Sequence, residues 1–334
     1  MTDARTNTVS VADRVRPVAA GSAVVGVHVL DGKTAFVLGE ESLLLVADDG
    51  TEQPVEAHAG GILASAADAE RVVTGGDDGK VVVTSADGET ATITTDPKHR
   101  WIDHVALGPD GAVAWSAGKT AFVRTGKGEE RSVEMPSTPG ALAFMPKGLR
   151  LAVAHYNGVS LWFPNANSEP ERLEWKGSHL GITISPDGRF LVTAMQEPAL
   201  HGWRIVDSHH MRMSGYSARV RSLDWTADGK WLASSGSEQL ILWPFQTKDG
   251  PMGKQPRMLA PSQARVNVVA CNPKQAIAAV GYADGVLLLV RLDDGAEILV
   301  KRPGDAPVSA LGWEASGAKL AFGTEDGEAG ILVL

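Results

Sequence analysis

Residues 179–196, HLGITISPDGRFLVTAMQ, decide how the whole chain is read. Two short apolar runs flank Pro186-Asp187-Gly188, with apolar residues alternating at Ile182 and Ile184 and again at Phe190 and Val192. Strict alternation marks half-buried strands, and Asp-Gly is a turn that β-hairpins favour. The fold therefore turns on whether this hairpin stands alone or recurs.

It recurs along the chain. The same pattern is read in HVALGPDGAVAWSAG from His104, GALAFMPKGLRLAVAHYNG from Gly140 and VRSLDWTADGKWLASSGS from Val220. Further copies are VVACNPKQAIAAVGYADG from Val268 and VSALGWEASGAKLAFGTEDG from Val308, with looser ones from Val24 and Ile62. The turn position falls at Asp31, Asp68, Asp110, Lys147, Asp187, Asp228, Lys274 and Ser316. The spacing averages about 41 residues, which for strand-only repeats is the period of a β-propeller blade. Three residues before the turn, Leu107, Phe144, Ile184, Trp225, Cys271 and Trp313 form a column of large or apolar side chains. Stacked sheets need such a column between their faces. Cys271 falls in it and reads as a core thiol rather than a nucleophile.

A third strand follows each hairpin, as in SLLLVAD (42–48), ALHGWRIVD (199–207) and GVLLLVRL (285–292). A fourth often follows that, as in ERSVEM (130–135) and EILVKR (297–302). The eighth unit stops on its third strand at Leu334, while RVRPVAAGS (14–22) reads like VKRPGDAPVS (300–309), an outer strand leading into the next unit. The expectation is one all-β domain over 14–334, a single propeller of eight four-stranded blades with seven as the alternative. The N-terminal strand then completes the last blade, which removes open sheet edges. Residues 1–13 are expected to be a flexible tail.

Composition narrows the function classes. Among 334 residues, 43% are hydrophobic, enough for a sizeable core, and the formal charge is −9 with no long run of one sign. Nucleic-acid binding usually needs a basic stripe, so no nucleic-acid partner is expected. One cysteine excludes an intrachain disulfide framework. No signal peptide or membrane span is evident, which points to a cytoplasmic protein with no membrane partner. The ring is expected to be monomeric on its own.

The stretch VRSLDWTADGKWLASSGS…LILW (220–243), with GITISPDGRFLVTA and GGDDGKVVV from Gly75, resembles the WD40 repeat family over about residues 14–334. Trp162, Trp203 and Trp243 occupy the family's Trp position, but Phe163, Arg204 and Pro244 follow where Asp is usual. His58, Thr74 and Asp78 match the His–Ser/Thr–Asp network with which family members tie a blade together. The resemblance implies a non-catalytic scaffold that binds a protein or peptide within a complex. It also implies the face that partners use, which carries the connections into each first strand and the turns between second and third strands.

Those places hold Arg100, Trp101, Tyr156, Tyr216, Arg219, Arg265 and Tyr282. Trp, Tyr and Arg dominate interface hot spots because they combine area, rigidity and a polar handle. Trp101, Tyr156 and Tyr282 are the expected anchors, with Arg100, Arg219 and Arg265 engaging carboxylates or carbonyls. No phosphate loop, GxSxG elbow, HExxH or EF-hand loop occurs, so neither a catalytic residue nor a cofactor is expected. The alternatives are a small-molecule or metal-binding propeller, or an enzyme with a hydrolase-like site at the channel mouth. The run His209-His210-Met211-Arg212-Met213 suits copper by residue type, but on a strand it reads as an outer packing face. Residues 246–256, QTKDGPMGKQP, are the longest insertion and belong to the opposite face.

Overall fold

The computed structural model describes residues 9–334. In the 179–196 stretch, Ile184 pairs with Leu191 across the hairpin. The turn is closed from within: Gly188 N–H donates to the Ser185 carbonyl, and the Ser185 hydroxyl and Arg189 N–H both donate to the Asp187 carboxylate. Gly188 takes φ +75°, a left-handed conformation that a side chain would disfavour. Thr226, Asp228 and Gly229 repeat the device in the next copy, with Thr226 Oγ1 donating to Asp228 and Gly229 N–H to the Thr226 carbonyl. A self-satisfied polar turn of this kind holds register without help from the core.

The described residues form an all-β chain of seven hydrogen-bonded sheets, five of them four-stranded. Where the repeats predict eight blades, the alternative count of seven is therefore found. The reason lies in the strand Glu171–Ile184. It runs without interruption from the outer strand of the repeat beginning at Gly140 into the first strand of the repeat beginning at His179. On one side it pairs with Leu151–Trp162 through Val159 and Leu173, and on the other with Phe190–Met195 through Ile182 and Thr193. Two repeats thus share one six-stranded sheet. Gly158, at φ +140°, allows the close approach within it, since a Cβ there would lie 2.1 Å from the Leu173 carbonyl oxygen.

The sheets gather into two compact units, Leu30–Val220 and Arg221–Leu334 with the described residues 9–29. In the first, side chains of successive repeats interleave. Val73, Val81 and Ile102 pack with Val113 and Trp115, and Ala152, Leu161 and Leu173 pack with Leu191 and Trp203. Burying Trp203 completely is a large apolar contribution, and truncating such a ring costs about 3–5 kcal/mol.

In the second unit, Cys271 is buried among Ala233, Leu242 and Val280, as its place in the apolar column predicts. Burial, with the neighbouring Asp224 charge, pushes its thiol well above the usual cysteine range. The strand Arg16–Ala19 pairs antiparallel with Glu328–Val333, setting Val18 opposite Ala329. The N-terminal strand therefore completes the sheet of the final repeat, as the sequence predicts. Of the segment 1–13 expected to be a tail, residues 1–8 lie outside the described residues. Val9–Ser10 pair in parallel with Glu297–Lys301, and Val11 N–H donates to the Leu299 carbonyl at 2.8 Å.

Candidate functional site

The His58 network is the first polar constellation to form as the sequence implies. His58 Nδ1 lies 3.0 Å from Asp78 and Nε2 lies 2.8 Å from Thr74 Oγ1. Asp78 also accepts the N–H groups of Ala59 and Lys80. Burial opposes its ionisation, but the hydrogen bonds from Ala59, His58 and Lys80 outweigh that and hold the carboxyl below its ordinary range. Every polar atom is spent internally, so this network is structural.

The repeat beginning at His179 carries the related places differently. Thr193 faces His201 across the strand pair as Thr74 faces Val82, and each threonine donates to the carbonyl opposite. Here His179 Nδ1 meets Thr193 Oγ1 at 2.7 Å and Nε2 meets the Trp175 carbonyl at 3.0 Å. Glu197 stands four residues after Thr193, as Asp78 does after Thr74. The His201 ring is fully buried with neither nitrogen hydrogen-bonded. Burial, reinforced by His179, His210 and Arg212, drives its pKa down to about 3, so the ring is a neutral plate.

Trp175 stacks on that plate at 3.9 Å between centroids and 15° between planes, and His210 lies 4.9 Å from the same indole. Strand alternation explains the arrangement. Met211 and Met213 are buried on one face of the strand His209–Ser214, which leaves His210 and Arg212 on the other. The packing reading of this run thus holds for its methionines. Among the described residues no group of three or more His, Cys, Asp or Glu side chains stands close enough to hold a metal ion.

Beside Trp175 opens a cleft of about 350 Å³, lined by Tyr156, Lys176, Met195, Gln196, Glu197 and Arg212. Tyr156 is 52% exposed and is fixed through its backbone N–H, which donates to Ser137 Oγ at 2.9 Å. Arg219 is exposed and reaches Gln196 at 3.4 Å. Tyr156 thus lines the cleft, and Arg219 lies outside the lining but meets one of its residues, Gln196.

The other expected contacts lie elsewhere. Trp101 is 60% exposed, outside the cleft lining. Arg100 is occupied, donating to both carboxylate oxygens of Asp96, with the shortest contact 2.7 Å. The Arg100 hydrogen bond is the main reason the Asp96 carboxyl sits at about 2. Tyr216 is half-buried. In the other unit, Arg265 is exposed, while Tyr282 is 0% exposed and its hydroxyl donates to the Ala260 carbonyl. Tyr282 is therefore a core residue and offers a partner no surface, which corrects its reading as an anchor. Trp175, Lys176 and Arg212 also line the cleft, although they are not among the contacts expected from the sequence. The signal for Trp175 was the pairing of an aromatic residue with the Lys176-Gly177 step, where one repeat passes into the next.

Comparison with known proteins agrees with this architecture. The crystal structure of the computationally designed Ika8 protein superposes with a TM-score of 0.78, covering 96% of this chain and 98% of that one at 16% identity. Repeated sheets of four strands with that likeness define a β-propeller. The WD domain, G-beta repeat of the WD40 family matches residues 208–243. A 77 kDa echinoderm microtubule-associated protein of Strongylocentrotus purpuratus is 29% identical over 112 residues, spanning 31% of this chain and 16% of that protein. The fold is a β-propeller, and in one of its repeats the chain is similar to the WD40 family, with no subfamily defined. No helix among the described residues is long and apolar enough to cross a membrane.

Proposed function

We propose that this protein is a non-catalytic cytoplasmic scaffold that holds a protein or peptide partner within a complex. The observation that carries the reading is the cleft wall, where Tyr156 presents half its surface beside Trp175 on a sheet already ordered by its own hydrogen bonds. A preformed surface spares binding the cost of ordering the receptor, so aromatic and arginine contacts convert efficiently into affinity. Trp101 and Arg219 supply further exposed side chains of the types that dominate hot spots.

The experiment is gentle purification of the tagged protein from its native cells, followed by mass spectrometry of what accompanies it. A stoichiometric partner that is lost in the Trp101→Ala/Arg219→Ala double variant supports the scaffold. A partner retained undiminished by that variant removes this face from the proposal.

A further inference from the structure

The chemistry of the cleft says what kind of segment it accepts. Six of the ten arginines of the Leu30–Val220 unit are already committed to carboxylates: Arg71 to Asp68, Arg100 to Asp96, Arg131 to Glu129, Arg150 to Glu171, Arg189 to Asp187 and Arg204 to Asp207. Those at the cleft are not. Arg212 and Lys176 line it with exposed side chains that contact no carboxylate, and Arg219 beside it holds only the Gln196 amide. On a chain whose formal charge is −9, three uncommitted cations around one opening stand out.

The opposing charge is limited to Glu197, which lines the same cleft and pairs with neither Lys176 nor Arg212. Lys176 and Arg212 against Glu197 leave one net positive charge within the lining, and Arg219 outside it makes two. For an anion seated between Lys176 and Arg212, Glu197 repels each added negative charge, which favours a monoanion over a dianion such as a phosphate group. Tyr156, the indole of Trp175 and Met195 supply apolar wall, beside the polar Gln196 and Ser178. Trp175 is held in place by the stack on His201, so its free edge is a rigid shelf rather than a mobile flap.

We infer that this cleft binds an acidic peptide segment, with an Asp or Glu carboxylate between Lys176 and Arg212 and an adjacent apolar side chain against Trp175 and Tyr156. The inference rests on the scaffold reading and specifies the partner's chemistry. Guanidinium and ammonium donors form charge-assisted hydrogen bonds with carboxylates, and the indole shelf excludes water from one side of them. Binding of this kind weakens as salt rises, since the Debye length is only about 8 Å near physiological ionic strength.

The test uses the full chain and an array of hexapeptides. The central residue is fixed as glutamate, glutamine, lysine or phosphoserine while the flanks vary. Glutamate peptides with apolar flanks should bind at least about tenfold better than their glutamine counterparts, the scale of one charge-assisted hydrogen bond. They should lose that advantage in the Lys176→Gln/Arg212→Gln variant. Both side chains are exposed, so the variant's melting temperature should match the wild type.

Equal binding of glutamine or lysine peptides, a preference for phosphoserine, or glutamate binding that survives in the variant would each overturn the assignment. The two proposals separate cleanly. A cellular partner that depends on Trp101 and Arg219 but ignores Lys176→Gln/Arg212→Gln leaves the scaffold standing and removes the acidic cleft. Glutamate peptides held by the cleft, with no cellular partner dependent on Trp101 and Arg219, give the reverse.

Discussion

Two repeats of the same unit treat one structural position in opposite ways. In the repeat of His58, an Asp four residues past the strand threonine accepts from His58 and from two backbone N–H groups, and Thr74 faces Val82. In the repeat of His179, Glu197 takes that place, His179 turns to the Trp175 carbonyl, and Thr193 faces a buried imidazole with no hydrogen bond of its own. The first arrangement consumes its polar groups in tying strands together. The second releases Glu197 to line a cleft and supports an indole at its edge with the His201 ring. The relaxed polar network thus coincides with an open cleft, the surface proposed above to bind a partner.

The comparison breaks most readily at Asp78. Asp78→Ala leaves His58 Nδ1 and the Ala59 and Lys80 N–H groups without their acceptor, and should cost about 3 kcal/mol in urea unfolding. A loss no larger than that of Glu197→Ala would mean the two repeats are equivalent after all.

Acid separates them next. The folded-state pKa of His201 lies near 3, below the ordinary histidine value of about 6.5. Stability from its neutral form is complete above about pH 6.5 and drains away as pH falls toward 3, because the unfolded chain takes up the proton first. His201→Phe keeps a flat ring under Trp175 and removes both unpartnered nitrogens. It should gain about 2 kcal/mol over wild type at pH 4.5, with a flatter acid limb when melting is followed against pH. A parallel shift at all pH values would show that packing, not protonation, governs the site.

Thr193→Val sharpens the contrast further. It removes the Nδ1 partner of His179 and should cost about 1 kcal/mol in thermal or urea unfolding. The smallest change is expected at Glu197→Ala, within about 0.5 kcal/mol in the same unfolding assay. That variant should nevertheless bind glutamate peptides more tightly in the array, because it deletes the one opposing charge of the cleft.

Much of the fold was legible because the information is local and repeated. The turn of Ser185 to Gly188 closes on its own side chains, so the motif survives in any copy that keeps its residues. The apolar column placed Cys271 correctly, and the family resemblance implied that His58, Thr74 and Asp78 meet. The sheet count was less legible, since nothing in residues 171–184 says that one strand serves two repeats. Tyr156 and Arg219, picked from the face that the resemblance implies, are exposed, whereas Tyr282 was picked in the same way and is buried. Its fate depends on the Ala260 carbonyl, 22 positions away, which periodicity does not describe. Arg100 was misjudged as available because Asp96 competes for it, a choice made by loop geometry. Trp175 escaped notice because its role comes from stacking on His201, a neighbour across strands.

The pairing of Arg16–Ala19 with Glu328–Val333 sets a schedule for synthesis. Strands that pair with near neighbours can form as the chain leaves the ribosome, but Val18 must wait for Ala329, more than 300 positions later. Until then the sheet of the final repeat lacks one edge and the early strand lacks a mate. Both are open to wrong pairing with other chains in the crowded cell. An early strand is thus among the last to be seated, so a nascent-chain chaperone would have a long task at residues 16–19.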